Sequence, residues 1–98
     1  MKKLISVCGS DVGDKTLSDH ALKTAEKVGM LVAKNDGVIV CGGHDGIMEA
    51  CCRGAKKEGG ITVGIMPFEN NEANKYIDIA IPTGLGNKRN YLVLRNSD

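Results

Sequence analysis

The chain contains four short aliphatic runs, which are predicted to form β-strands. They cover Lys3–Val7, Val38–Cys41, Ile61–Ile65 and Ile77–Ile81. Valine and isoleucine dominate these runs and polar residues are few, which is typical of parallel strands covered on both faces.

Three longer stretches carry apolar residues at helical spacing. The first is predicted to begin near Thr16, an N-cap candidate with Asp19 as capping-box partner, and to end in a left-handed cap at residues 35–37. The second covers about Ile47–Lys57, and the third covers Asn87–Asp98. The order β-α-β-α-β-β-α predicts an α/β fold: a three-layer, Rossmann-like parallel sheet of about four strands with flanking helices.

Composition narrows the class of protein. The chain has 98 residues, which we interpret as a single domain over residues 1–98. Thirteen basic residues against 12 acidic ones, with one Phe, two Tyr and no Trp, argue against a nucleic-acid binder. Apolar runs are too short for a membrane span, so we expect a cytoplasmic protein with no membrane partner.

The four cysteines are expected to be reduced thiols that bind no metal. Cys41 and His44 could both ligate zinc, but no second spaced pair completes a four-ligand site. Cys8, Cys51 and Cys52 are most simply packing residues. His44 and His20 have no nucleophile at an identifiable turn beside them and are interpreted as solvent-facing.

Glycine turns follow three of the predicted strands. The candidate phosphate-binding residues in these turns are Gly9, Ser10, Gly42, Gly43, Gly46, Gly84 and Gly86. The carboxyl ends of parallel strands share one edge of the sheet, where such folds bind ligands. Glycine lets backbone N–H groups approach an anion closely. The alternative is that these glycines only permit tight turns, and the sequence leaves both interpretations open.

Lys88 and Arg89 break a local rule at the start of the last predicted helix. A cation there opposes the helix dipole at a cost of about 0.3–1 kcal/mol, and such violations often mark functional sites. Arg89 would offer a bidentate fork to a phosphate or carboxylate. The structural alternative is a solvated basic pair or an ion pair with Glu49. Asn90, the next residue, joins the candidate ligand-binding set.

Taken in order, these motifs resemble the Lonely Guy family, also called lysine-decarboxylase-like, and its molybdenum-cofactor carrier-like branch. The V-C-G-S turn at residues 7–10 is similar to the family's first glycine–serine turn, and residues 42–50 are similar to its G-G-x-x-G-[IL]-M motif. The helix from Gly86 matches the one that carries the active-site arginine. By this resemblance Arg89 is the candidate catalytic residue, and residues 83–87 are closer to the carrier-like branch.

The resemblance also implies what lies outside this sequence. In the family a P-G-G-x-G-T-x-x-E motif follows and contributes a glutamate, whereas this chain ends at Asp98, so the domain is expected to be incomplete at its C-terminus. Three functions remain open: binding of a nucleoside monophosphate or related phosphorylated cofactor, hydrolysis of a nucleoside 5′-monophosphate as a phosphoribohydrolase, or a truncated assembly fragment. The resemblance further implies a homodimer.

Overall fold

The computed structural model describes residues 2–9, 18–67 and 73–97. Within them, four parallel strands form one sheet in the order β1-β2-β3-β4. The strands are β1 Lys3–Val7, β2 Gly37–Cys41, β3 Ile61–Met66 and β4 Ile79–Pro82; the helices are α1 Asp19–Lys34, α2 Ile47–Lys57 and α3 Arg89–Arg95, with a 3-10 turn at Gly86–Lys88 before α3. The predicted α/β, Rossmann-like fold is confirmed.

The sheet has a different hydrophobic layer on each face. Alternate residues of β2 divide between the two layers: Ile39 packs with Met48, Cys51 and other α2 residues, whereas Val40 packs with Ile65 and the α3 residue Val93. Every residue of β2 is buried. Because α1 and α2 cover one face of the sheet and α3 covers the other, the described residues form three layers. None of the helices in this part of the chain has the length and apolar character that crossing a bilayer requires.

Helices α1 and α2 pack backbone against backbone, and two glycines make this possible. A Cβ atom at Gly29 would lie 1.8 Å from the Cys51 carbonyl oxygen, and one at Gly54 would lie 1.9 Å from the Glu26 carbonyl oxygen. Glu26 also pairs with Arg53 and Lys57 on α2. The two helices can therefore pack this closely only because Gly29 and Gly54 have no Cβ atom. The apolar periodicity of the sequence does not predict this requirement.

Several predicted boundaries differ from the structure. The start of β2 and the ends of β3 and β4 differ by one residue, and three elements differ by two residues or more. Ser18, not Thr16, caps α1: its Oγ accepts a hydrogen bond from the Ala21 N–H at 3.1 Å, while Thr16 lies outside the described residues. Strand β4 begins two residues later than predicted, because Ile77 packs into the core and the Asp78 carboxylate accepts the Thr62 N–H. The last helix is shorter than predicted, because a 3-10 turn precedes it and it ends at Arg95.

We predict that Gly54→Ala destabilises the fold by about 1–3 kcal/mol or more, the usual cost of overpacking. The sign of the change in the free energy of unfolding is informative, because a glycine-to-alanine substitution inside a helix otherwise stabilises by about 0.5–1 kcal/mol. Urea unfolding monitored by circular dichroism measures the change. Lys27→Ala, at an exposed position of α1, is the control and should change stability little. A stabilised Gly54→Ala variant would contradict the close helix packing.

Candidate functional site

A cavity of about 600 Å³ opens at the carboxyl edge of the sheet. Its wall is built from the end of β1, the loop after β2 with the start of α2, the end of β3, and the turn that begins α3. The lining residues are Val7, Cys8, Gly9, Gly42, His44, Met48, Pro67, Gly86, Asn87, Arg89 and Asn90. This is the edge at which open parallel sheets bind ligands.

The structure brings together part of the predicted site. Gly9, Gly42, Gly86, Arg89 and Asn90 line the cavity. The remaining predicted glycines, Gly43, Gly46 and Gly84, are not among its lining residues, and Ser10 lies outside the described residues.

Sequence reasoning missed other residues of the cavity wall. His44, interpreted as solvent-facing, is half-buried and lines the cavity. Cys8 and Asn87 line it too. Their positions carry the signal that could have found them, because each is directly beside a glycine of a strand-end turn.

Arg89 is the most unusual side chain of the cavity. It is only 6% exposed, and its Nε is buried without a hydrogen-bond partner. Its Nη1 reaches the Asn87 Oδ1 at 3.5 Å, a long contact. No carboxylate of the described residues forms an ion pair with it, so the alternative of a pair with Glu49 is not observed. A buried cation normally requires a paired anion.

The absence of a side chain at Gly42 makes room for the Arg89 guanidinium. A Cβ atom at this glycine would lie 2.9 Å from the Arg89 Nη2 and 3.2 Å from the Met48 Sδ. Because this distance is tighter than an ordinary van der Waals contact, any larger residue would have to displace the guanidinium. Gly42 therefore acts by accommodating Arg89.

The next two predicted glycines have turn-forming roles. Gly43 has a φ of 80°, and a Cβ atom there would lie 2.0 Å from the Met66 Sδ. Its N–H donates to the Cys41 Sγ at 3.4 Å. Gly46, with a φ of 70°, is the N-cap of α2. The structure thus favours the tight-turn interpretation for both positions.

Hydrogen bonds tie the loop before α3 to the end of β3. The Thr83 N–H and Oγ1 both donate to the Met66 carbonyl oxygen, at 3.1 and 2.6 Å. The Gly86 N–H donates to the Pro67 carbonyl oxygen at 2.8 Å. Gly84 and Gly86 have φ values of 69° and 60°, which favour glycine. This loop fixes where α3 begins, and hence where Arg89 enters the cavity.

The cysteines divide into one exposed and three buried thiols, and none forms a disulfide. The Cys41 and Cys52 sulfur atoms are 3.8 Å apart. The hydrogen bond from Cys52 lowers the pKa of Cys41 against the effect of burial, helped by the Gly43 N–H and the charge of Arg89. The same bond, with burial, raises the pKa of Cys52, and burial raises the pKa of Cys51 to about 12. Cys8 alone among the four lines the cavity.

Comparison with known proteins identifies the family. The model of the SLOG cluster4 family matches residues 2–98. The chain belongs to this family. A protein of Archaeoglobus fulgidus without an assigned function is 36% identical to this SLOG chain over 87 residues, which are 89% of the chain and 58% of the relative.

Solved structures similar to this SLOG chain include molybdenum-cofactor proteins. The molybdenum cofactor binding protein of the phototrophic bacterium Rippkaea orientalis is 39% identical, with a TM-score of 0.92 over 100% of the chain and 60% of that protein. The molybdenum cofactor carrier protein of Chlamydomonas reinhardtii is 32% identical, with a TM-score of 0.85 over 99% of the chain and 58% of that protein. The resemblance to the carrier-like branch is confirmed, and the chain spans about three fifths of these relatives' length.

We predict that Arg89→Met stabilises the ligand-free SLOG chain. Methionine keeps much of the side-chain length but removes a buried charge without a carboxylate partner. Even a complete buried ion pair can often be replaced by apolar residues with no loss or with a gain of about 1–4 kcal/mol. Chemical denaturation measures the free energy of unfolding. Arg95→Met, at the exposed end of α3, is the matched control and should stay within about 0.5 kcal/mol of the parent. A marked loss of stability in Arg89→Met would instead give the arginine a structural role.

Proposed function

We propose that this chain binds a small phosphorylated cofactor in the cavity, and that the cofactor is the molybdenum cofactor named for its solved relatives. The observation that carries the proposal is the buried Arg89 guanidinium, which has no carboxylate partner among the described residues. A phosphate group would supply the missing anion and accept charge-assisted hydrogen bonds from it.

The residues around the cavity fit such a ligand. The molybdenum cofactor is a pterin that carries a phosphate group, and the cavity volume of about 600 Å³ lies within the range of roughly 300–1,000 Å³ common for small-molecule sites. Arg89 would hold the phosphate, and Asn87 and Asn90 would offer amide hydrogen bonds. Gly9 and Gly42 would shape the wall, because their missing side chains make room for Ile47 and for the Arg89 guanidinium. In this role the cofactor is cargo, and the chain's own residues bind and shelter it.

Binding is better supported than hydrolysis. The described lining of the cavity contains no aspartate or glutamate, so the phosphoribohydrolase alternative would need a carboxylate from outside these residues. A nucleoside monophosphate would present the same phosphate to Arg89 and is the second ligand to test. Release of free adenine from adenosine 5′-monophosphate would favour the phosphoribohydrolase alternative.

The cytoplasm is the compartment that we propose for this chain. Cys41, Cys51 and Cys52 are buried in the core and form no disulfide. Reduced thiols are typical of proteins in a reducing compartment.

We predict that Arg89→Met weakens cofactor binding about 10- to 150-fold, corresponding to the roughly 1.5–3 kcal/mol of a hydrogen bond to a charged group. The protein is incubated with molybdenum cofactor freshly released from a purified molybdoenzyme and passed through a desalting column. Retained molybdenum is measured by elemental analysis and retained pterin by fluorescence after oxidation, over a range of cofactor concentrations.

Two controls separate recognition of the phosphate from general effects. Arg95→Met removes an exposed arginine of the same helix and should retain the cofactor like the parent protein. An excess of inorganic phosphate should displace the cofactor from the parent protein. Equal retention by the parent and Arg89→Met would refute the role of this arginine, and no retention by the parent would refute the proposed ligand.

Exposed apolar side chains support a homodimer or larger assembly. Val28 and Leu31 on α1 are 43% and 58% exposed, and Tyr91 and Leu94 on α3 are also largely exposed. Met48, an apolar residue at the start of α2, is buried in the core and so does not contribute to such a surface. Large exposed apolar side chains that cluster on helices are typical of interaction surfaces.

We predict that the 98-residue chain sediments as a dimer or larger species at micromolar concentration, because these side chains would otherwise remain in water. Leu31→Glu should shift the equilibrium toward monomer. Lys27→Glu, on the same helix and exposed, introduces the same acidic side chain without removing an apolar one and is the control. Sedimentation equilibrium measures the mass, and a monomeric parent chain with a cooperative melting transition would rule out the assembly.

A further inference from the structure

Asn74 holds the loop after β2 from outside the cavity. Its N–H donates to the Gly43 carbonyl oxygen at 2.9 Å, and its side-chain Nδ2 donates to the His44 carbonyl oxygen at 2.6 Å. Asn74 is not among the residues that line the cavity, although Gly42 and His44 are. One residue from the β3–β4 connection therefore engages two successive carbonyl groups of the loop.

The other end of the Asn74 side chain is anchored to the sheet. Its Oδ1 accepts the Tyr76 N–H at 3.0 Å, and the Tyr76 carbonyl oxygen accepts the Thr62 Oγ1 hydroxyl at 2.5 Å. Thr62 lies in β3 and is fully buried. The amide has a donor and an acceptor on separate atoms, whereas an ionised carboxylate of the same length only accepts. Asparagine therefore connects the loop to a fixed point of the sheet, a connection that aspartate cannot make.

This connection has an electrostatic consequence for an anion in the cavity. A carbonyl oxygen carries partial negative charge, so a loop that turned its carbonyl groups toward the cavity would repel a phosphate. Because the Gly43 and His44 carbonyl oxygens accept hydrogen bonds from Asn74, they are not free to turn toward a ligand. The loop also carries Gly42, against which the Arg89 guanidinium packs, so a shift of the loop would move the cation as well.

We propose that Asn74 is a positioning residue for the phosphate-binding site, acting through the 42–44 loop and Arg89 without touching the ligand. This inference rests on the proposed function. It predicts that loss of the amide donor lowers ligand affinity by more than the accompanying loss of stability explains.

The test compares Asn74→Asp and Asn74→Ala with Asn35→Ala. Asp keeps the acceptor for the Tyr76 N–H but removes the donor and places a carboxylate against the two carbonyl groups, whereas Ala removes both functions. Asn35 is a matched control, because its Nδ2 donates to the Leu31 carbonyl oxygen at 2.7 Å at the end of α1, outside the cavity lining. Each protein is titrated with molybdenum cofactor, and its melting temperature and the amide hydrogen exchange of residues 42–46 are recorded without ligand.

We expect both Asn74 variants to bind the cofactor roughly tenfold or more weakly, by analogy with the loss seen when hydrogen bonds that orient metal ligands are removed. Their 42–46 amides should exchange faster, and Asp should be the more severe change. Asn35→Ala should bind the cofactor with parental affinity and show parental exchange of the 42–46 amides. Parental affinity in Asn74→Asp, beside a parent that binds, overturns the positioning role alone. A parent that binds no cofactor overturns the proposed function and this role with it.

Discussion

The buried charge of Arg89 is the constraint on which the geometry of the cavity depends. A guanidinium with 6% exposure and no carboxylate partner among the described residues is costly in a folded protein, because burial removes its hydration. Its neighbours accommodate it: Gly42 has no side chain in its place, and the loop before α3 is tied to the end of β3. This buried charge and its fixed surroundings are the structural basis of the proposed anion site.

The glycines at the strand ends shape the loops around Arg89 and do not themselves provide the main anion-binding group. The glycine pattern suggested an anion cradled by backbone N–H groups, but the Gly43 N–H donates to Cys41 and the Gly86 N–H donates to Pro67. These two amides stabilise their loops. Glycine is needed at both positions because the backbone has a positive φ. The glycines thus give the loops their shape, and the guanidinium is the group best placed to meet a charged ligand.

A structural feature could be predicted from the sequence when neighbouring residues determine it, and not when residues distant in the chain do. The bounds of β1 and α2 agree with the prediction, because a run of aliphatic residues and a helical periodicity ended by glycine are local signals. The location of Arg89 in the cavity was also anticipated, since a cation at the start of a helix violates a local preference. The fold class followed from the order of these elements.

Distant contacts explain what the sequence did not reveal. Ile77 and Asp78 alternate as strand residues do, yet one packs into the core and the other bonds Thr62, so β4 starts later. Gly29 and Gly54 matter only because another helix approaches within contact distance. Asn74 acts on carbonyl groups that lie 30 residues earlier in the chain. None of these roles can be recognised before the tertiary structure brings the partners together.

The burial of Arg89 depends both on its local position in α3 and on contacts that α3 makes with the sheet. Val93 follows it by four residues, so both side chains lie on the same face of α3. Val93 is fully buried against Val40 and Ile65, and this contact directs that face of the helix toward the sheet. The hydrophobic gain at Val93 thereby offsets part of the cost of desolvating the arginine one turn earlier. In the proposed function, an anion in the cavity would offset more of this cost by pairing with the guanidinium that the packing of Val93 helps to bury.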